Sequence, residues 1–243
     1  MIAERLRRHP VPVRARFRHS LVLTYAFPRT ALEPLVPPGL VLDADGDLGF
    51  AACALVQTEQ LRPAFAPPAF GRDFFLTGYR VFVRVARAPS LRGLLILRSD
   101  TDSRLMAALG NVLTHYRYRL ADVRVQERPA WLEVDVRTPR AEADVRVQAR
   151  LDAHALPSSS PFATDSDARR FAGPLPYTFH VEGRSRAIVA VRAVRSEWEP
   201  VSVEVDVRRA TFFERSPFDG RGVLANAFHV GGVDYAWERG RVL

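Results

Sequence analysis

The 243-residue chain is predicted to be an α+β protein dominated by strands, with one clear helix. Three observations carry that reading. Apolar and polar residues alternate with a period of two over most of the length, valine and other β-branched residues crowd those stretches, and a single segment has helical spacing. All-β and strand-rich proteins of this length are commonly single units, and no repeat, linker or low-complexity tract forces a boundary, so residues 1–243 are read as one domain. A chain this long buries roughly 70–75% of its unfolded surface, enough for a real core.

The elements follow in order. Strands are predicted over Ala15–Tyr25, Leu48–Thr58, Phe74–Ala86 and Gly93–Arg98. Between the second and third, "LRPAFAPPAFGRD" (Leu61–Asp73) is Pro-rich and reads as a loop. The helix is predicted over Asp102–Tyr116: Leu105, Leu109, Val112 and Tyr116 recur at helical spacing, and Met106 and Leu113 widen that stripe toward a core. Ser99, Asp100, Thr101 and Asp102 all suit its N-cap, and carboxylates there complement the positive end of the helix. Arg104, Asn111 and His115 share the opposite face; a solvated helix surface and a site are both compatible with that stripe. Strands continue over Arg117–Gln126, Trp131–Thr138 and Ala143–Leu151. A polar connection, Leu156–Pro174, holds one short helix at Ser166–Phe171. The last strands are Tyr177–Glu182, Ala187–Val194, Ser202–Phe213, Leu224–Val230 and Val233–Glu238.

Composition narrows the function. The longest apolar run, Phe50–Val56, is far too short for a bilayer span, and the basic N-terminus has no apolar core of a secretory signal. One cysteine, Cys53, forms no internal disulfide and fits a reducing cytoplasm; inside an apolar strand it reads as a buried, inert thiol. The formal net charge is +8, carried by 35 arginines and no lysine. Such a balance suits a polyanion, yet no nucleic-acid-binding motif accompanies it, and arginines alternating with valine, as in "DVRVQARLD", line one solvated strand face. Nucleic-acid binding is therefore the weaker reading. Nucleophile-elbow, phosphate-loop, dinucleotide and zinc-helix motifs are missing. The six histidines are scattered without ligand spacing, so no metal or other cofactor is expected.

Candidate site residues gather at two places. On "DFFLTGYRVFVRV", Tyr79, Val81 and Val83 share one strand face while Arg80, Phe82 and Arg84 share the other. An arginine beside a phenylalanine points inward, where its guanidinium needs a carboxylate, from the protein or from a ligand. Asp100 and Asp102, beside Arg98, are the protein partners expected for Arg80 and Arg98. Ser99, Asp100 and His115 can also be drawn as a triad, although cap polarity explains the first two.

Three blocks, "FFLTGYRVFVR", "RGLLILRSDTDSRLMAALGNVLTHYRY" and "RRFAGPLPYTFHVEGRSRAIVAVRAVRSEWEP", resemble a family of uncharacterised bacterial proteins, a domain-of-unknown-function family of the acetoacetate decarboxylase-like superfamily. The matching stretch runs from about Phe17 to Phe213, and "THYRY" after a helix is its most specific part. The resemblance implies a twisted, partly closed β-barrel with a cavity and a few flanking helices. It also implies that the lysine of true decarboxylases, which forms a Schiff base with the keto acid, belongs near "LILRSDTDS". This chain has no lysine there or anywhere, and arginine cannot replace a deprotonatable amine. The Met1 α-amino group is the one remaining amine.

Two functions fit these residues. In the first, the cavity binds a small carboxylate-containing or polar organic ligand, with Arg80 or Arg98 as clamp and Tyr79, Ser99 and Tyr116 orienting it. If catalytic, it would run a non-covalent lyase, hydratase or isomerase reaction, with Asp100, Asp102 or His115 moving the proton. In the second, a binding or structural protein keeps the barrel without the chemistry. Homo-oligomerisation is compatible with either.

Overall fold

The computed structural model describes residues 2–171, 173, 175–195 and 197–243. Met1, and Ala172 and Pro174 within the expected Leu156–Pro174 connection, lie outside them. Four long strands form first: β1 (Val13–Pro28), β2 (Leu48–Pro63), β3 (Arg72–Val85) and β4 (Ala88–Thr101). After helix α1 (Arg104–Leu113) come β5 (Tyr118–Leu120), β6 (Asp122–Arg128), β7 (Trp131–Arg137) and β8 (Val145–Arg150). A short helix α2 (Asp165–Arg169) precedes β9 (Tyr177–Val181), β10 (Ile188–Arg195), β11 (Glu204–Ala210) and β12 (Val223–Trp237).

Strands β12, β1, β2, β3 and β4 pair antiparallel in that order, β4 pairs parallel with β9, and β9 pairs with β10. The ladder then returns on itself through β10–β12 pairs such as Val194 with Ala236. A second sheet, β11–β8–β7–β6, covers one outer face of this ring. Leu132, Val134, Val136, Val145 and Val147 of that sheet meet Leu21, Leu23, Leu55, Tyr79 and Val81 of the ring in one buried core. The opposite faces of the same ring strands, among them Val22, Phe50, Ala52 and Phe82, form a separate core inside the ring. Residues 21–27 of β1 and 50–56 of β2 are consequently buried on both faces, which is why they are apolar apart from Thr24, whose Oγ1 donates to the Phe171 carbonyl at 2.9 Å. The arginines of the second sheet lie on its outer face beside carboxylates, as in Arg146–Glu133 and Arg150–Glu204.

Several expectations are corrected. The helix is shorter than Asp102–Tyr116, because β4 continues through Thr101 and takes Ser99, Asp100 and Thr101 as strand residues. Ser103 is the N-cap, its Oγ accepting from the Met106 N–H at 3.2 Å, whereas Asp102 Oδ1 accepts from the Phe75 N–H at 2.9 Å. The apolar stripe of α1 does not enter a core: Leu105, Leu109 and Val112 are exposed, and the buried residues are Ala107 and Gly110. The Tyr118 ring lies so closely against Gly110 that a Cβ there would clash with its carbons. Asn111 is not merely solvated, since its amide bonds both the N–H and the C=O of Tyr118 at 2.8 Å. The expected strands at 224–230 and 233–238 are one strand running through Gly231 and Gly232. The expected strand Arg117–Gln126 is divided at Ala121 between the two sheets.

Candidate functional site

Inside the ring, the side chains facing one another across β2, β3 and β4 are Ala54, Gly78 and Ser99, in direct register. Three small residues in one row leave space that valine or leucine would fill. The result is a cavity of about 420 Å³, within the range of roughly 300–1,000 Å³ usual for small-molecule sites. Phe74, Leu76, Gly78 and Arg80 of β3 line it in succession. Below Arg80 the ring is plugged: Phe171 packs on Phe82 at 5.5 Å and on Phe50 at 3.9 Å between centroids. Helix α1 and the loop between β2 and β3 border the opposite, open end.

Arg80 sits at the floor. Among the described residues it makes no ion pair with any carboxylate, and its buried Nε has no hydrogen-bond partner. Burial pulls its pKa down from the ordinary arginine value, although a guanidinium keeps its proton. The expectation that Asp100 or Asp102 pairs with Arg80 is thus corrected. The reason is a bulge in β4: Tyr79 opposes Arg98 but Arg80 opposes Ile96, so Leu97 is extra and Arg98 turns to the outer side. Among the described residues, three further buried polar atoms of lining residues lack partners: His9 Nδ1, Tyr116 Oη and Thr58 Oγ1. Burial pushes the Tyr116 hydroxyl up to about 12.

Of the residues singled out from sequence, Arg80, Ser99 and Tyr116 line this cavity. The others do not. Tyr79 is buried between the two sheets, its Oη donating to the Ala143 carbonyl at 2.8 Å and its ring stacked on Phe212 at 4.1 Å. Arg98 is buried on that same outer side. Its Nη2 bonds Asp100 Oδ1 at 2.8 Å and its Nη1 bonds Glu142 Oε2 at 3.0 Å. Burial raises the Asp100 carboxyl while the Arg98 hydrogen bonds pull it back down. Asp102 is exposed at the end of β4. His115 stacks on His180 at 3.5 Å in a separate small crevice, with burial lowering its pKa. No Asp or Glu lines the large cavity among the described residues.

Sequence reasoning missed Gly78, Thr58 and the loop residues Phe65 and Phe70, which also line the cavity. The available signal was "AACA" in β2 and phenylalanines inside a Pro-rich loop. It also missed a histidine contact: His19 Nδ1 lies 3.0 Å from His229 Nε2, and His19 Nε2 lies 3.3 Å from Glu127 Oε1. Among the described residues no group of three or more His, Cys, Asp or Glu side chains could hold a metal ion. Nor is any helix long and apolar enough to cross a membrane.

Residues 14–230 match DUF2071, a family described as an uncharacterized conserved protein. The chain belongs to the DUF2071 family. No curated protein matches it. Solved structures share the fold of this DUF2071 chain at low identity. An acetoacetate decarboxylase superposes with a TM-score of 0.63 at 13% identity, over 96% of this chain and 89% of that one. An acetoacetate decarboxylase from Legionella pneumophila gives 0.60 at 12%, over 96% and 88%. The enduracididine biosynthesis enzyme MppR with HEPES bound gives 0.57 at 13%, over 96% and 88%. At such identities the likeness establishes an acetoacetate decarboxylase-like fold alone.

Proposed function

We propose that the cavity of this DUF2071 chain binds a small organic acid, whose carboxylate is held by Arg80. The observation that carries this is a permanently charged guanidinium at the floor of a largely apolar cavity, with no carboxylate of the described residues beside it. A buried charge without a partner costs several kcal/mol, and a ligand carboxylate would supply both the opposite charge and the acceptor atoms. Ser99, Tyr116 and Thr58 offer hydroxyls to the same space. A purely structural ring has no use for the Ala54–Gly78–Ser99 row, which keeps the volume open.

Binding is favoured over proton-transfer catalysis. Asp100, Asp102 and His115, the residues expected to move a proton, all lie away from this cavity. Schiff-base chemistry is disfavoured by the sequence itself, which has no lysine. With acetoacetate, borohydride should trap no adduct on an internal residue.

The test is calorimetric titration with hexanoate and hexanamide. A charge-assisted hydrogen bond contributes about 1.5–3 kcal/mol, so the acid should bind at least tenfold tighter than the amide. Arg80→Gln should erase that preference. Equal binding of acid and amide by the unaltered protein, or an acid preference that survives Arg80→Gln, refutes the proposal.

A further inference from the structure

Arg80 explains the floor of the cavity but not its walls or its rim. Along β3 the lining passes from Arg80 through Gly78 to Leu76 and Phe74, and along β2 from Ala54 through Val56 and Thr58 to Leu61. Between the charged floor and the rim the walls are therefore mostly apolar, with Thr58 on the wall and Arg62 and Arg72 near the opening as polar exceptions. At the open end the apolar lining continues onto the surface. Phe65 and Phe70 of the β2–β3 loop are 82% and 66% exposed. Across the opening, Leu105 and Leu109 of α1 are 52% and 49% exposed, and all four residues line the cavity. Four exposed apolar side chains around one opening suit a contact site for an apolar group. Arg62, near the end of β2, and Arg72, at the start of β3, line the cavity as well.

We infer that the ligand is an amphiphilic acid, a medium-chain fatty-acid-like monocarboxylate, bound head-down: carboxylate on Arg80, tail along the apolar walls, and tail end against Phe65, Phe70, Leu105 and Leu109. This rests on the assignment of Arg80 as the carboxylate clamp. This arrangement accounts for what a short polar acid leaves unexplained, since a small ligand would touch neither the rim phenylalanines nor the leucines of α1. It also explains why the apolar stripe of α1 faces an opening. The surface that stripe would bury in a helix packed on a core is kept free for the tail.

The test uses the full chain and measures dissociation constants for butyrate, hexanoate, octanoate, decanoate and laurate, with decanol as the uncharged control. Burial of each methylene should tighten binding, by roughly tenfold for every two added while the tail stays in contact. Decanoate should outbind decanol at least tenfold, and Arg80→Gln should remove that advantage while keeping the dependence on chain length. Replacing both Phe65 and Phe70 with Ser should weaken laurate at least fivefold more than butyrate. A flat series from butyrate to laurate, with Arg80→Gln still abolishing acid preference, overturns the amphiphile and leaves the Arg80 assignment standing. Loss of chain-length and Arg80 dependence together overturns both. Sedimentation of both proteins covers the remaining occupant of the rim. If the unaltered protein is a dimer that laurate does not dissociate, and the double Ser variant is a monomer, a second copy covers the rim and the inference fails.

Discussion

Gly78→Val puts the cavity itself to the test. A Cβ at Gly78 would meet no atom within 4 Å, and the backbone there is ordinary strand, opposite Ala54 and Ser99. Valine can therefore be accepted without displacing a neighbour. Relief of the glycine entropy cost contributes about 0.5–1 kcal/mol. Two further methyl groups entering an apolar but open space contribute roughly 0.8 kcal/mol each at most. A net stabilisation of about 1–2 kcal/mol follows, or a rise in Tm of roughly 2–8 °C for a chain of this size. Binding should move the opposite way. The isopropyl group stands two residues from Arg80 on the same face, where the ligand carboxylate would lie, so hexanoate affinity should fall at least tenfold. Urea unfolding and calorimetry on the same variant measure both. Destabilisation beyond 1 kcal/mol would show that the space beside Gly78 is not open. A more stable variant that binds hexanoate unchanged would show that the ligand sits elsewhere.

Other outcomes concern the frame around the cavity. Asp43 is fully buried and receives Arg84 at 2.6 Å and Arg92 at 2.5 Å, with Arg170 at 3.5 Å; Asp43→Asn should cost about 2–4 kcal/mol in urea unfolding, less than an all-buried pair because the arginines reach solvent. Ser103→Ala should cost about 0.5–2 kcal/mol as the lost N-cap of α1, and Asp102→Ala should not show a helix-cap signature in circular dichroism. His229 and His180 are each held down to about 4, by burial first and by a neighbouring histidine second. Because the folded values lie below the ordinary 6.5, the unfolded chain takes up protons first. Stability should be full above about pH 6.5 and fall as pH drops toward 4, by of order 3 kcal/mol in all after allowing for partial exposure. Denaturation midpoints that do not change between pH 7 and 4.5 would contradict this.

Much of the frame was legible in the chain. Alternation and β-branched residues located the long strands, because a strand's side chains point to opposite faces whatever lies on either side. The split of β3 into Tyr79, Val81 and Val83 against Arg80 and Phe82 followed from that rule, and the pairing of Arg98 with Asp100 from the position of Arg98 at the end of the apolar run, beside the carboxylates. The absence of lysine needed only the sequence. What alternation could not decide was which face meets the cavity and which meets the second sheet, since both are covered by protein. Tyr79 and Arg80 were both expected at the site; Tyr79 is sealed in the core between the sheets, and Arg80 lines the cavity. The bulge at Leu97 then separated Arg98 and Asp100 from Arg80, a one-residue slip that local pattern does not reveal. The apolar stripe of α1 posed the same problem. Periodicity reports that a helix has an apolar side, but only the packing of Tyr118 on Gly110 decides that this side overlooks an opening instead of a core.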